Sequence, residues 1–277
     1  MITDNAIDQF WYWINERHHI YLKKTAVEPW PWTKDPILQE WKFCNVFREL
    51  DAGTVWLRKN FIEMHKDDGS LLMFNIAWYR LFNLIATAEA VGWIDVFDFD
   101  RMVKTIQSLP KAFTSAHMTH GVKGEDKIIT HVKTVEAIWK CHLELYTDIY
   151  FERTLVHAFN SFRNFYNIGP FLSYEIVTDL RHTRLLEKAV DINTWANVGP
   201  GALRGLNRIF GYVHRDDALA KMVWLRAETT KPNNELLQSH VPLPLELRDI
   251  EHSLCEYDKW ARVYNNEGTP RCRYRQR

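Results

Sequence analysis

Only four cysteines occur in 277 residues, at positions 44, 141, 255 and 272. None forms a CxxC and no two lie close in the chain, which argues against a disulfide framework or a structural zinc site and for a reducing cytoplasm. No apolar run approaches the ~20 residues that a membrane-spanning helix needs, so no membrane is expected among the partners. The opening MITDNAIDQFWYWINERHH carries acids and no clean apolar stretch, and does not read as a signal peptide. Excess charge is missing as well: 35 Lys and Arg balance 35 Asp and Glu. Any attraction to nucleic acid must then come from a local basic patch, of which the tail Arg271, Arg273, Arg275 and Arg277 is one candidate. No GxxxxGK[ST], GxGxxG, HExxH or GxSxG appears, so the chain is not itself a P-loop kinase.

What the sequence has in quantity is aromatic residues: 12 Trp, 11 Tyr and 15 Phe. They supply core volume, and aromatic side chains are also the usual platforms for an extruded base. Apolar residues recur at helical spacing along most of the chain. The pattern predicts helices over about 4–24 (with Asp4 as cap), 36–64, 70–91, 97–109, 126–146 and 244–262. The stretch EPWPWTKDP breaks the first from the second, since each proline removes a backbone donor and turns the residue before it away from helix. Residues 111–125 read as a loop with room for short strands, and AETTKPNNE (227–235) as a polar linker. Short helices separated by Gly-Pro corners fill the segment from 150 to 210.

One corner has a specific form. FRNFYNIGPFLSYEIVTDL (162–180) places Ile168, Gly169 and Pro170 between two apolar helices. A glycine there lets backbone amides approach a phosphate, and the helix that follows offers a partially positive N-terminus. A second corner, NVGPGALRGL, carries Gly199, Pro200, Gly201 and Arg204. Between them lies Val190-Asp191 with Trp195. The bland reading of Asp191 is an N-cap for residues 192–196.

These residues resemble the helix-hairpin-helix family of DNA glycosylases over about 155–210. The resemblance implies that Ile168, Gly169, Pro170, Gly199, Pro200, Gly201 and Arg204 contact DNA. It also implies that Asp191 stabilises positive charge on the sugar and activates the attacking group. The lysine that forms a Schiff base in one branch of that family is replaced by Phe171, so amine-type covalent chemistry is not available there.

Further strings extend the likeness over nearly the whole chain: INERHHIYLKK (14–24), PWPWTKDPIL (29–38), FCNVFRELDAGTVWL (43–57), FNIAWYRLFN (74–83) and RDIEHSLCEYDKW (248–260). Together with the hairpin they are similar to the alpha-glutamyl/putrescinyl thymine pyrophosphorylase group and to the related helical domain of 5-hydroxymethyl-deoxyuridine DNA kinases. The fold implied is all-α and glycosylase-like, with two packed helical subdomains: an N-terminal part over about 1–148, a hairpin core over 149–215 and a C-terminal linker, helix and basic tail over 216–277.

The activity implied is phage-type DNA base hypermodification. An amine, from an amino acid such as glycine or from a polyamine, replaces pyrophosphate on the methyl carbon of a modified thymine in double-stranded DNA. Arg17, Lys23, Arg48 and Arg80 would face the pyrophosphate, because arginine is the best fork for phosphate oxygens. Each could equally pair with a nearby acid, as Arg48 with Asp51. Asn45 is placed to read a uracil edge or to pack a helix. The incoming amine needs a base, for which Asp191, Glu251 and His252 are the candidates. Arg248, Glu251, His252, Cys255 and Lys259 share one face of the last helix, which is either a solvated surface or a wall of the site. His252 and Glu256 could ligate a metal, but no third ligand is evident and no metal site is expected. No cofactor is required, although a monovalent or magnesium ion could accompany the phosphate. A DNA kinase is an expected functional partner. Two alternatives stand beside this reading: a monofunctional glycosylase acting on a modified uracil, and a non-catalytic DNA-binding module serving such a kinase.

Overall fold

The computed structural model describes residues 5–114, 121–231, 237 and 240–275. They form helices and connecting turns with no strand among the described residues, so the fold is all-α. In chain order the helices are α1 (Ala6–Thr25), α2 (Pro36–Glu40), α3 (Ala52–Leu57), α4 (Gly69–Phe82), α5 (Ile85–Val91), α6 (Phe99–Gln107), α7 (Lys127–Lys140), α8 (His142–Glu152), α9 (Leu155–Arg163), α10 (Pro170–Leu180), α11 (Pro200–Phe210), α12 (Ala218–Glu228) and α13 (Leu247–Tyr264). Among the described residues no helix is long and apolar enough to cross a membrane.

Two compact units share the chain. One joins residues 1–51 to 193–277, and the other is the continuous stretch 52–192. In the first, α1 and α13 form the core. Phe10, Trp13 and Ile14 are wholly buried on one side and Leu254, Tyr257 and Trp260 on the other. The polar tips of these aromatics are satisfied: the Tyr257 hydroxyl donates to the Ala6 carbonyl (3.0 Å) and the Trp260 indole N–H to Asp35 Oδ2 (2.9 Å). Helix α11 lies against α13 through Gly201 and Gly205. A Cβ built at Gly205 would overlap the Leu254 carbonyl oxygen and stand 2.9 Å from its carbon. Backbone of a neighbouring helix cannot give way as a flexible side chain can. Gly205→Ala is therefore expected to destabilise the protein by about 3 kcal/mol, read as a fall in the urea midpoint at unchanged slope.

In the second unit α4 is the central helix. Every residue from Leu72 to Phe82 is buried, the pattern of a helix covered on all sides. Its one buried amide, Asn75, is fully used. Nδ2 donates to the Ile94 carbonyl (2.8 Å), and Oδ1 accepts from the Ile94 N–H (2.9 Å) and the Trp78 indole (2.8 Å). On α7, His131 is wholly buried beside the rings of Phe82 and Phe113 and donates Nδ1–H to the Lys127 carbonyl (2.8 Å). Burial pulls its pKa down to about 4, and burial with the neighbouring His240 and Arg17 does the same for His18 in the first unit.

Both histidines are therefore held neutral. The stability that this neutrality represents is complete above pH 6.5 and is lost as the pH falls toward 4. Asp249, raised to about 7 chiefly by burial, runs the other way, its contribution being complete at low pH and lost as the pH rises through 7. His131→Gln isolates one histidine. Between pH 7 and 4.5 it is expected to lose up to about 3 kcal/mol less stability than the parent, as read by urea titration at the two pH values.

Several predicted boundaries are corrected. Asp4 lies outside the described residues, and it is Asn5 that caps α1, its side chain accepting the Ile7 N–H at 3.2 Å. The single helix expected over 36–64 is interrupted from Trp41 to Asp51, because short polar side chains there bind the backbone locally. Asn45 Nδ2 donates to the Leu50 carbonyl (2.8 Å), and Asp51 Oδ1 accepts the Asn45 N–H (2.9 Å). The helix expected over 70–91 divides at Asn83, which takes a left-handed conformation with φ 49° that asparagine tolerates. The helix expected over 126–146 divides at Cys141 and resumes as α8 to Glu152. In the predicted loop 111–125 no strand occurs among the described residues, and 115–120 lie outside them. Of the linker 227–235, Ala227 and Glu228 belong to α12, while 232–235 lie outside the described residues.

Candidate functional site

The residues expected to carry function fall into three places. The first is a polar cluster within the unit formed by 1–51 and 193–277. The irregular stretch 41–51, already bent by its own side-chain bonds, lies beside α1 and α13. From α1, Arg17 donates Nη2–H to Asn45 Oδ1 (2.7 Å) and to the Phe43 carbonyl (3.4 Å). The Arg17 Nη1 is buried and has no hydrogen-bond partner among the described residues. Burial lowers the pKa of this guanidinium, opposed by Asp51, and burial likewise raises the Asp51 carboxyl, opposed by Arg48. Arg48 lies 3.6 Å from Asp51 Oδ2 and 3.4 Å from His252 Nδ1 on α13.

From helix α13, His252 and Glu256 reach this stretch. Asp249, His252, Glu256 and Asp258 are all buried. Of the face read from spacing as solvated surface or site wall, His252 is buried, while Arg248, Glu251, Cys255 and Lys259 are half-buried. Glu256 Oε2 accepts the backbone N–H of Cys44 (3.0 Å), and its other oxygen pairs with Lys259. Burial holds the Cys44 thiol far above its usual range, with Glu256 adding to the effect. Arg248 pairs with Glu246 (3.0 Å) and Glu49 (3.4 Å). One turn away, Glu251 Oε1 accepts the Gly199 N–H (3.3 Å), so this carboxylate holds the second Gly-Pro corner. Arg204 donates to buried Asp258 (2.8 Å), which Arg208 also contacts (2.9 Å). Lys23 reaches the Trp32 carbonyl (3.2 Å) and supports the Pro-Trp turn. Of the basic tail, Arg273 is held in the same unit, where it bridges to Trp41, stacks its guanidinium over that ring at 5.4 Å and approaches Glu40 at 3.3 Å, and Arg277 lies outside the described residues.

The second place, in the unit 52–192, is the pair of helices α9 and α10 joined through Asn164–Gly169. Asn167 takes φ 63°, Ile168 is buried, and a Cβ on Gly169 would meet nothing within 4 Å. Ser173 on α10 donates to the Phe159 carbonyl of α9 (2.6 Å), tying the pair. Gly169 and Pro170 open α10 without a side-chain cap. No helix forms over 192–196 for Asp191 to cap. The two carboxylate oxygens of Asp191 accept the N–H groups of Leu155 (2.7 Å) and Val156 (3.0 Å), which places a negative charge at the N-terminus of α9.

The third place is inside the same unit. Arg80 on α4 is buried and donates to Asp179 on α10 through both Nε and Nη2 (2.7 Å for the latter), with further bonds to Thr54 (2.9 Å) and Asn83 (2.7 Å). Sequence reasoning missed Asp179. Glu175 and Asp179, the two acids of α10, four apart and both buried, were the available signal.

Two comparisons place the chain among known proteins. Residues 4–269 match the family described as 5-hmdU DNA kinase, helical domain. A relative named 5-hmdU DNA kinase, from Bacillus phage SP10, is 26% identical over 288 aligned residues, covering 92% of this chain and 45% of the relative. The chain therefore spans about half the length of the curated relative that it matches. No solved structure matches.

Proposed function

The chain belongs to the family of the 5-hmdU DNA kinase helical domain, and from that premise we propose that it takes part in phage-type thymine hypermodification as an amine transferase. The substrate is duplex DNA bearing 5-pyrophosphoryloxymethyl-deoxyuridine. The bond between the methyl carbon and the pyrophosphate oxygen breaks, the pyrophosphate leaves with the electron pair, and the nitrogen of an amino acid or polyamine bonds to the carbon and gives up a proton.

The observation that carries this reading is the enclosed cluster of Arg17, Asn45, Arg48, Asp51 and His252. Two guanidinium groups stand there within reach of an acid, an amide and an imidazole. A buried guanidinium N–H without a partner asks for an anionic acceptor, and phosphate oxygens suit arginine's fork. In this scheme Arg17 and Arg48 receive the pyrophosphate, Asn45 reads the uracil edge, and His252 takes the amine's proton. Glu251 is a positioning residue that fixes the Gly199 corner, and Lys23 steadies the turn beside α1. The turns at Ile168–Pro170 and Gly199–Gly201, with Arg204, approach the DNA backbone as helix-hairpin-helix elements do. Arg80 and Asp191 act at a distance by holding α4 to α10 and by capping α9.

Asp191→Asn is accordingly expected to lower stability by about 1 kcal/mol, with product formation following the folded fraction. Abolished turnover in fully folded protein would make this carboxylate a participant in the chemistry.

The deciding experiment incubates the chain with DNA carrying the activated base and a panel of amino acids and polyamines, then weighs the nucleosides and measures pyrophosphate. A heavier nucleoside matched by pyrophosphate release supports the transferase. Abasic sites would replace it with the glycosylase reading. Unchanged nucleosides with retained DNA binding would favour the second reading, a DNA-binding module serving a kinase, which the kinase name of the relative recommends.

A further inference from the structure

The polar cluster also brings three donor atoms together, one of them on the His252 that serves as base in the transfer scheme; a metal held there and proton uptake by the same ring exclude one another. Cys44, from the irregular stretch, and His252 and Glu256, from consecutive turns of α13, each offer one donor atom, and the three atoms lie within 4.8 Å of one another. Residues at i and i+4 share a helix face, and the Cys44 N–H bond to Glu256 Oε2 (3.0 Å) fixes the third residue over that face.

We propose that Cys44, His252 and Glu256 form a binding site for a zinc-class divalent ion. Thiolate, imidazole and carboxylate are the three ligand types that Zn²⁺ takes, and three protein ligands leave a fourth position for an oxygen ligand. Donors at about 2.0–2.3 Å from Zn²⁺ stand roughly 3.5 Å apart in a tetrahedron, so the three side chains need to draw in by about 1 Å, a rotamer adjustment. On binding, Cys44 releases its thiol proton to solvent and ligates as thiolate. The charge of the ion is matched by the thiolate and by Glu256. A carboxylate has about four lone-pair sites, so Glu256 can ligate while still accepting the Cys44 N–H. Lys259, which now pairs with Glu256, is the cation that a metal would compete with. Arg48, 3.4 Å from His252, stands beside the ring as an anion-binding neighbour. Sequence spacing shows only His252 and Glu256. The third ligand is some 200 residues away and visible only in the fold.

The test needs no DNA and no activity, so its outcome is separable from that of the transferase reading. The full chain is stripped with a chelator under reducing conditions and titrated with Co²⁺. A near-ultraviolet band from thiolate-to-cobalt charge transfer and visible bands of a four-coordinate ion are expected, both displaced by equimolar Zn²⁺. Cys44→Ser should remove the charge-transfer band and weaken Zn²⁺ binding on the order of 100-fold or more, with a metal-free melting temperature near that of the parent. Zn²⁺ should raise the melting temperature of the parent and leave that of Cys44→Ser unchanged. Cys255→Ser, which alters the neighbouring thiol on α13, should keep the band. Absence of the band in the parent, its survival in Cys44→Ser, or its loss in a folded Cys255→Ser would overturn the site.

Discussion

Arg48→Gln should slow pyrophosphate release by roughly 100- to 1000-fold, the usual effect of removing one fixed donor from a developing oxyanion. The loss should appear mainly in kcat, because the charge that Arg48 faces grows as the carbon–oxygen bond breaks. Stability should change by less than about 1 kcal/mol, since its pairing with Asp51 is long, at 3.6 Å, and partly reached by solvent. Arg48→Lys separates charge from shape: an ammonium keeps the charge but cannot present two parallel donors, so only part of the rate should return. A steady-state pyrophosphate assay with the three proteins, together with their urea curves, checks both halves. Equal rates in all three would remove Arg48 from the chemistry and leave it as a partner of His252.

Asp179→Ala should act on the fold instead, lowering stability by about 3–5 kcal/mol. Arg80 and Asp179 are both almost wholly removed from water. Their mutual bonds, with Thr54 and Asn83, offset a desolvation penalty of several kcal/mol per ion. Removing one partner leaves the guanidinium buried against weaker acceptors, including Glu175 at 4.0 Å. The double substitution Arg80→Met with Asp179→Leu should recover most of the loss, because an apolar pair of similar volume carries no desolvation penalty. Chemical denaturation of the two variants gives the comparison. A single variant as stable as the parent would show that the pair does not hold α4 to α10.

How far the sequence disclosed this molecule depended on the range of the forces involved. Helical period marked α1, α6 and α13 because each has one face repeated every three to four residues against a core. The hydrophobic surround of α4 was equally plain, though not its end at Asn83, where one residue turns left-handed. The stretch 41–51 was hidden because its geometry comes from side chains bonding their own backbone, and FCNVFREL has the apolar content of a helix. Arg17, the group Asn45, Arg48 and Asp51, and His252, over 200 residues on, lie in separate strings and could be joined only through the resemblance. Asp191 was noticed for its surroundings, but its partners at the head of α9 lie 36 and 35 residues upstream. Spacing along a chain does not reveal a cap donated backward over such a distance.

The chain passes from one unit to the other after Asp51 and returns after Ile192, so the stretch 52–192 is threaded as a guest into a host split in two. As the polypeptide leaves the ribosome, the guest has all of its sequence early and can settle on its own. The host must keep its first 51 residues waiting, with Trp11, Trp13 and Phe10 exposed, until α13 is made. The polar cluster inherits that schedule. Arg17 and Arg48 are synthesised before the guest and His252 and Glu256 after it, so the cluster is assembled only once α13 has been made. A chain truncated before Leu247 should therefore retain the guest's helices while losing every contact that Cys44 makes with Glu256.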